Sequence, residues 1–342
     1  MITREMPRVR RVCVLARGGA PAPWEPPSFP GRPGPSLTTC AAFLLLATGC
    51  ALHVRHGLVA ELRRSREIAG ATQRVLLRPL PGRVDGLAVA AAQLSASRGA
   101  AVGGDLYEAV TTAYGVRVVI GDVRGHGLAA LGAAAAVLGS FREAAHDEPD
   151  PAGVLRRMER SLERHLRERA RAEPPSARPQ GPRSPVAEEF VTVLLLQIAA
   201  DGSVQALNCG HPWPYRLDPA PASVPTGPQG PPARTVRPLA GGETLPPLGV
   251  LPLPPDLRSV PCGKLGPGEA LVLYTDGAED ARDRRGRFFP LRGVLAQAPA
   301  PTPARLVAGV HAALLRHTRG RLTDDVTLLV LRNDRGGRGG RP

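Results

Sequence analysis

Four short segments, far apart in the chain, each set an aspartate beside a glycine turn or a strand end. They are Gly103-Gly104-Asp105, Gly121-Asp122-Val123-Arg124-Gly125-His126-Gly127, Tyr274-Thr275-Asp276-Gly277 and Thr323-Asp324-Asp325-Val326-Thr327. Hard divalent cations need several carboxylate oxygens converging on one point. Aspartate is the short carboxylate, and glycine lets backbone approach an ion closely. An isolated Asp-Gly is usually only a turn. Here Asp122 follows VRVVIG and Asp276 follows LVLYT, runs that read as buried strands. A carboxylate at the end of such a strand must be paired, hydrogen-bonded or metal-bound. Together the four segments point to one metal-centred site assembled from distant strands.

The donor set narrows the chemistry. There is no histidine pair at i, i+4, which argues against a zinc hydrolase. Oxygen ligands favour Mg²⁺ or Mn²⁺. The sequence has no G-x-x-x-x-G-K-[ST] phosphate loop and no G-x-S-x-G elbow. Two ions about 3.5–4 Å apart can make water nucleophilic and draw charge from phosphate oxygens. Hydrolysis of a phosphoester is the reaction class this implies.

The elements that must carry these residues are legible from pattern. Residues 86–92, Leu106–Thr112 and Val116–Ile120 read as short strands, and Leu128–Ala145 as an Ala/Leu-rich helix. Asp150-Pro151 opens a second helix, with Val154, Leu155, Met158, Leu162 and Leu166 at helical spacing. Phe190–Ala199 is a long apolar strand, Gly202 a hairpin, and Val204–Leu207 the return strand. Ala270–Thr275 is a buried strand, Pro303–His317 a helix and Val326–Leu331 the last strand. Residues 174–185 and 218–240 are Pro-rich loops. Strands and helices come in clusters, which gives an α+β layout.

The N-terminal side is of another kind. Residues 1–36 are Pro-, Gly- and Arg-rich without periodicity and read as a disordered arm. Residues 37–54 carry no formal charge, and 18 residues reach about 27 Å, enough for a bilayer core. Within about 15–20 residues of its ends, Arg32 stands alone before this span, whereas Arg55, Arg63, Arg64, Arg66 and Arg74 follow it. The positive-inside rule then puts the C-terminal side in the cytoplasm, as a single-pass cell-membrane protein. A buried core helix and a lipid-attachment signal ending at Cys50 are the rival readings. Residues 55–76 read as a linker helix, with a homodimer seam as a weaker alternative because small residues dominate its face. Residues 77–332 form the main domain, and 333–342 a disordered basic tail.

Composition bounds the function further. The 342 residues carry a net charge of +14, almost all from arginine, with Lys264 the single lysine. No groove-reading motif accompanies that charge, so nucleic acid is not the expected partner. The cysteines Cys13, Cys40, Cys50, Cys209 and Cys262 form no C-x-x-C pair, which excludes a zinc ribbon or disulfide framework.

In order along the chain, VGGDLYEAV, VVIGDVRGHGLAAL, EEFVTVLLLQI, NCGHPWPYRL, LVLYTDGAEDARDRRGRFF and LTDDVTLLVL resemble the PPM-type metal-dependent protein serine/threonine phosphatases. The nearest branch is the bacterial one named for the SpoIIE sporulation phosphatase. The resemblance covers residues 76–332 and implies an α/β/β/α sandwich of two antiparallel sheets, with a dinuclear Mn²⁺ or Mg²⁺ centre at one edge. It implies that Asp122 bridges two ions with help from the Val123 carbonyl, that Asp276 and Asp324 complete the centre, and that Asp105 lies at an ion or its water shell. Activated water would then attack phosphorus without a phospho-enzyme. His126 is either the proton donor to the leaving serine oxygen or a residue that shapes the glycine turn. Thr192 and Thr327 are read as packing within strands, Asp325 as lying beside the ions or facing solvent, and His211 as structural. The implied substrate is a phosphorylated regulator resembling an anti-anti-sigma protein in a partner-switching pathway.

The sequence also departs from that pattern. The family's first motif usually reads Gly-Gly-Asp-Phe-Tyr-Asp, whereas here Leu106 and Glu108 stand at the fourth and sixth places. Gln93-Leu94-Ser95-Ala96 replaces an aromatic and a proline, and Glu279-Asp280 replaces Thr-Glu. These changes touch substrate contacts and leave every presumed metal aspartate in place. The alternative of a different class is a catalytically idle, phosphatase-like scaffold that binds a phosphoprotein or an anti-sigma partner.

Overall fold

The structure, a computed structural model, describes residues 34–95, 103–125, 127–172, 189–219, 234–239, 241–298 and 302–335. The chain divides into two compact units at Ala60/Glu61. One helix, α1 (Gly34–Leu76), contributes to both. The span expected at 37–54 and the linker helix expected at 55–76 are therefore one uninterrupted 43-residue element. Nothing in its sequence breaks it, because no proline falls between Pro35 and Pro79. Gly34, Pro35 and Ser36, expected in the arm, are already helical. Residues 1–33 lie outside the described part, as do most of both Pro-rich loops. Residues Cys40–Glu61 are long and apolar enough to cross a membrane, at a mean hydropathy of 1.4 over the most apolar window, none of it buried.

The larger unit is built on two sheets whose strands pair antiparallel throughout. The first has six strands: β1 (Arg83–Val84), β2 (Leu87–Leu94), β11 (Val326–Asn333), β10 (Ala270–Tyr274), β7 (Tyr215–Leu217) and β8 (Val236–Pro238), in that spatial order. The second has five: β3 (Leu106–Thr112), β4 (Gly115–Val123), β5 (Val191–Ile198), β6 (Ser203–Cys209) and β9 (Val260–Lys264). Strand period two assigns the faces. Leu271, Leu273, Leu329 and Leu331 join Val118, Ile120 and Leu194 in one core between the sheets. Ala270, Val272, Leu328 and Val330 point the other way into a second core.

Helices cover both outer faces. Helices α2 (Leu128–Asp147) and α3 (Pro151–Ala172) pack together on the five-stranded sheet. The short α4 (Gly277–Asp280), α5 (Leu291–Gln297) and α6 (Pro303–Thr318) lie on the six-stranded one. This is the α/β/β/α sandwich expected from the sequence. Strands β7, β8 and β9 were not anticipated. The first two are three residues each, and β9 contains Pro261 and Gly263, so none shows a clean alternation.

Three arginines fix the periphery of this sandwich. Arg117, with no exposed surface, donates to the carbonyls of Ala145 (2.9 Å), Glu148 (2.5 Å) and Pro149 (2.8 Å) and to Gln197 Oε1 (2.8 Å). It thus closes the carbonyl end of α2, where a cation is favoured. Arg142 on α2 reaches Glu108 Oε2 at 2.6 Å and also donates to the Leu76 carbonyl at the end of α1 (2.8 Å). Arg335 donates to the Asp85 carbonyl (2.8 Å) and carboxylate (2.6 Å). Residues 333–335, expected in a disordered tail, are therefore part of the fold, Asn333 closing β11. Residues 336–342 lie outside the described part.

Candidate active site

All the aspartates of interest sit at one end of the sandwich, where strands from both sheets stop. Strand β4 runs buried from Val116 to Gly121 and brings Asp122 opposite Thr192 of β5. The Asp122 N–H donates to Thr192 Oγ1 at 3.1 Å. Asp105 directly precedes β3, the neighbour of β4 in the same sheet. The turn before β3 touches the end of β4 so closely that only glycine fits. A Cβ on Gly104 would stand 2.3 Å from the Val123 carbonyl oxygen and 2.8 Å from Asp122 Oδ1.

The other sheet supplies the second half. Strands β10 and β11 pair up to Tyr274↔Leu328, and the Thr275 N–H continues to the Thr327 carbonyl at 3.1 Å. Asp276 follows at once, and α4 begins at Gly277. A Cβ there would meet the Asp325 carbonyl oxygen at 2.1 Å and the Asp324 Cβ at 3.3 Å. The Asp276 and Asp324-Asp325 turns are thus packed against each other. Asp105 crosses to this sheet: its Oδ2 accepts from Thr275 Oγ1 (3.1 Å) and Thr327 Oγ1 (2.7 Å).

Exposure grades across the cluster. Asp105 and Asp325 are 3% and 8% exposed, Asp122 is half-buried, and Asp276 and Asp324 face solvent. The sequence argument that Asp276 must be satisfied because its strand is buried does not hold, since water reaches it just past the strand end. The site has a protected floor and an open rim.

The electrostatics are those of crowded acids. Burial, then the charges of Asp276, Asp324 and Asp325, push the Asp122 carboxyl up to about 7. Burial and the Asp122 charge raise Asp105 well above the usual carboxylate range, although both threonine hydroxyls oppose the rise. The two carboxyl groups are close enough to affect each other's protonation, the situation in which two acids come to share a proton. Burial and the Asp324 charge raise Asp276 as well. The cluster therefore calls for positive charge, and its all-oxygen donors suit Mg²⁺ or Mn²⁺. Among the described residues, no three Asp, Glu, His or Cys side chains are grouped so that they could hold a metal ion as they stand.

Asp105, Asp122, Val123, Asp276 and Asp324 all fall within this cluster. His126 lies outside the described residues. Thr192 and Thr327 do more than pack, and Thr275 joins them as a hydroxyl donor to the site. Their signal in the sequence was a polar residue at the end of an apolar strand. His211 is 4% exposed and is fixed by its own turn, in which Asn208 bonds both its N–H and its carbonyl (2.8 Å each).

Comparison with known proteins matches this fold. Residues 112–334 match the family described as stage II sporulation protein E (SpoIIE). The SiaA PP2C domain of Pseudomonas aeruginosa superposes with a TM-score of 0.56 at 17% identity, over 82% of this chain and 98% of that one. The RsbU and RsbW domains of a Mycobacterium tuberculosis protein give 0.52 at 24% identity, over 76% of this chain. The PP2C phosphatase domain of Bacillus subtilis SpoIIE, solved with a fragment of its regulatory domain, gives 0.51 at 16% identity, over 72% of this chain. The chain spans 62% of the length of each of the latter two. With its PP2C-like sandwich and the match over residues 112–334, the chain belongs to the SpoIIE family.

Proposed function

We propose that this chain removes phosphate from phosphoserine or phosphothreonine on a regulatory protein, at a centre of two Mn²⁺ or Mg²⁺ ions. The observation that carries it is the mutual repulsion of Asp122, Asp276, Asp324 and Asp325 at the open end of the sandwich. Asp122 and the Val123 carbonyl would hold the ions from the five-stranded sheet, and Asp276 and Asp324 from the six-stranded one. Asp105, anchored by Thr275 and Thr327, would orient Asp122 from behind. When bound, such ions supply Lewis acidity towards phosphoryl oxygens and make water a competent nucleophile at neutral pH. The exposed rim at Asp276 and Asp324 is where a phosphoryl group borne on a protein surface can enter. His126, two residues past Arg124 in sequence, would either donate a proton to the leaving oxygen or shape the glycine turn.

Two further assignments go with this reading. The Cys40–Glu61 segment would anchor the chain in the cell membrane, and the arginines that follow would keep the phosphatase domain in the cytoplasm. The substrate would be an anti-anti-sigma-like phosphoprotein of a partner-switching circuit. The neighbour that carries RsbU and RsbW domains in one protein supports that class.

The test uses the full chain in detergent with a phosphoserine peptide. Turnover should require Mn²⁺ or Mg²⁺ and disappear with chelator or with Asp276→Asn. Turnover that survives both treatments would refute the mechanism. Separating native membranes from the soluble fraction checks the anchor.

A further inference from the structure

One buried side chain, His211, backs the Asp122 end of the site. Its Nδ1 lies 3.1 Å from Thr192 Oγ1, the same oxygen that accepts the Asp122 N–H at 3.1 Å. Its backbone is fixed by Asn208, which bonds both its N–H and its carbonyl at 2.8 Å. The Thr192 hydroxyl has one proton to give. It lies nearer to Nδ1 (3.1 Å) than to the Asp122 carbonyl (3.4 Å). With Nδ1 accepting, the ring proton of the neutral imidazole sits on Nε2, which has no hydrogen-bond partner among the described residues. Burial supports this uncharged form, since it lowers the His211 pKa to about 3.

We infer that His211 is a positioning residue: anchored by Asn208, it holds the Thr192 hydroxyl, and through it fixes the end of β4 and Asp122 where ion binding requires them. The inference rests on the reading of this site as a phosphatase ion centre. His211 acts one step behind the strand end that carries Asp122. Partners of this kind, one step behind metal ligands, commonly govern affinity as strongly as the ligands' own geometry.

The experiment is Mn²⁺ titration by calorimetry of the full-length protein, beside a thermal melt in chelator. The variants are Thr192→Val, Thr192→Ser and His211→Asn. Thr192→Val keeps shape and removes the hydroxyl, so Mn²⁺ affinity should fall at least about tenfold. Thr192→Ser, which retains the hydroxyl, should bind Mn²⁺ like the wild type. His211→Asn should lose affinity to a similar degree. The Thr192→Val/His211→Asn double variant should lose no more than the worse single one, because both cut the same connection. If the melts shift but wild-type Mn²⁺ affinity persists in Thr192→Val, His211 is only a packing residue and the inference fails. That outcome is readable whether or not His211→Asn folds. A wild-type protein that takes up no Mn²⁺ would overturn the phosphatase reading and this inference together, which separates the two failures.

Discussion

Thr327, on the last strand of the six-stranded sheet, donates its hydroxyl to Asp105 at 2.7 Å, and Asp105 opens the first strand of the five-stranded one. The bond closes the end of the sandwich behind the site. Thr327 is fully buried, so its loss is not made good by water. Thr327→Val should cost about 1–3 kcal/mol, the range for leaving one buried polar partner unmatched. Urea unfolding of the chelated protein measures it. A change within error would mean that Thr275 alone suffices to hold Asp105.

The rim acids should behave in the opposite way. Asp276 and Asp324 are exposed and repel Asp122. Removing one charge relieves that repulsion. Asp276→Asn should therefore melt no lower than the wild type in chelator, yet lose at least about tenfold in Mn²⁺ affinity. Calorimetry beside a thermal melt distinguishes this from simple unfolding.

Arg117 presents a larger effect. Its guanidinium serves three carbonyls at and just beyond the end of α2 and stacks 4.7 Å from the Tyr114 ring. Arg117→Met should destabilise the fold by about 1–3 kcal/mol for each buried carbonyl left without a donor. Lysine cannot replace the planar fork, so Arg117→Lys should also unfold at clearly lower urea concentration.

Acid should weaken the protein through its buried histidines. Burial lowers the His211 pKa to about 3 and that of His311 to about 4. Both titrate near ~6.5 when unfolded. Between those values the unfolded chain binds more protons, so this stability is full above about pH 6.5 and is lost as pH falls towards 4 and then 3. His311→Gln should flatten the slope of unfolding free energy by about 1.4 kcal/mol per pH unit between pH 4.5 and 6, as expected for one proton. Asp122 has the opposite sign. Its raised carboxyl makes the ion-free native state the better proton binder, so its contribution is present below about pH 4 and is lost as pH rises through about 7. Chelated Asp122→Asn should not show that alkaline loss.

The strand-then-aspartate-then-glycine pattern was visible because it is local. Asp122 and Asp276 announce themselves within seven residues of sequence. Their supports do not. Thr275 and Thr327 meet Asp105 across 170 and 222 residues of chain, a pairing that only the register of the two sheets creates. The contact of His211 was equally hidden, because it joins the turn after β6 to Thr192 on β5. The long strands and the helices α2, α3 and α6 were readable from periodicity. The edge strands β7, β8 and β9 were not, being too short or too rich in Pro and Gly to show a face. Within α1 the change from apolar to basic composition alters what the helix can touch without ending it.

Glu108 stands where the family's first motif usually has aspartate, and Arg142 meets it at 2.6 Å while also holding the Leu76 carbonyl. Aspartate would be one methylene shorter, about 1.5 Å of reach, and could not meet that guanidinium without dragging the strand or helix along. Glu108 and Arg142 are therefore a joint inheritance. Anyone grafting the commoner acid into this chain must also re-engineer its basic companion, or the last turn of the long N-terminal helix loses its tether.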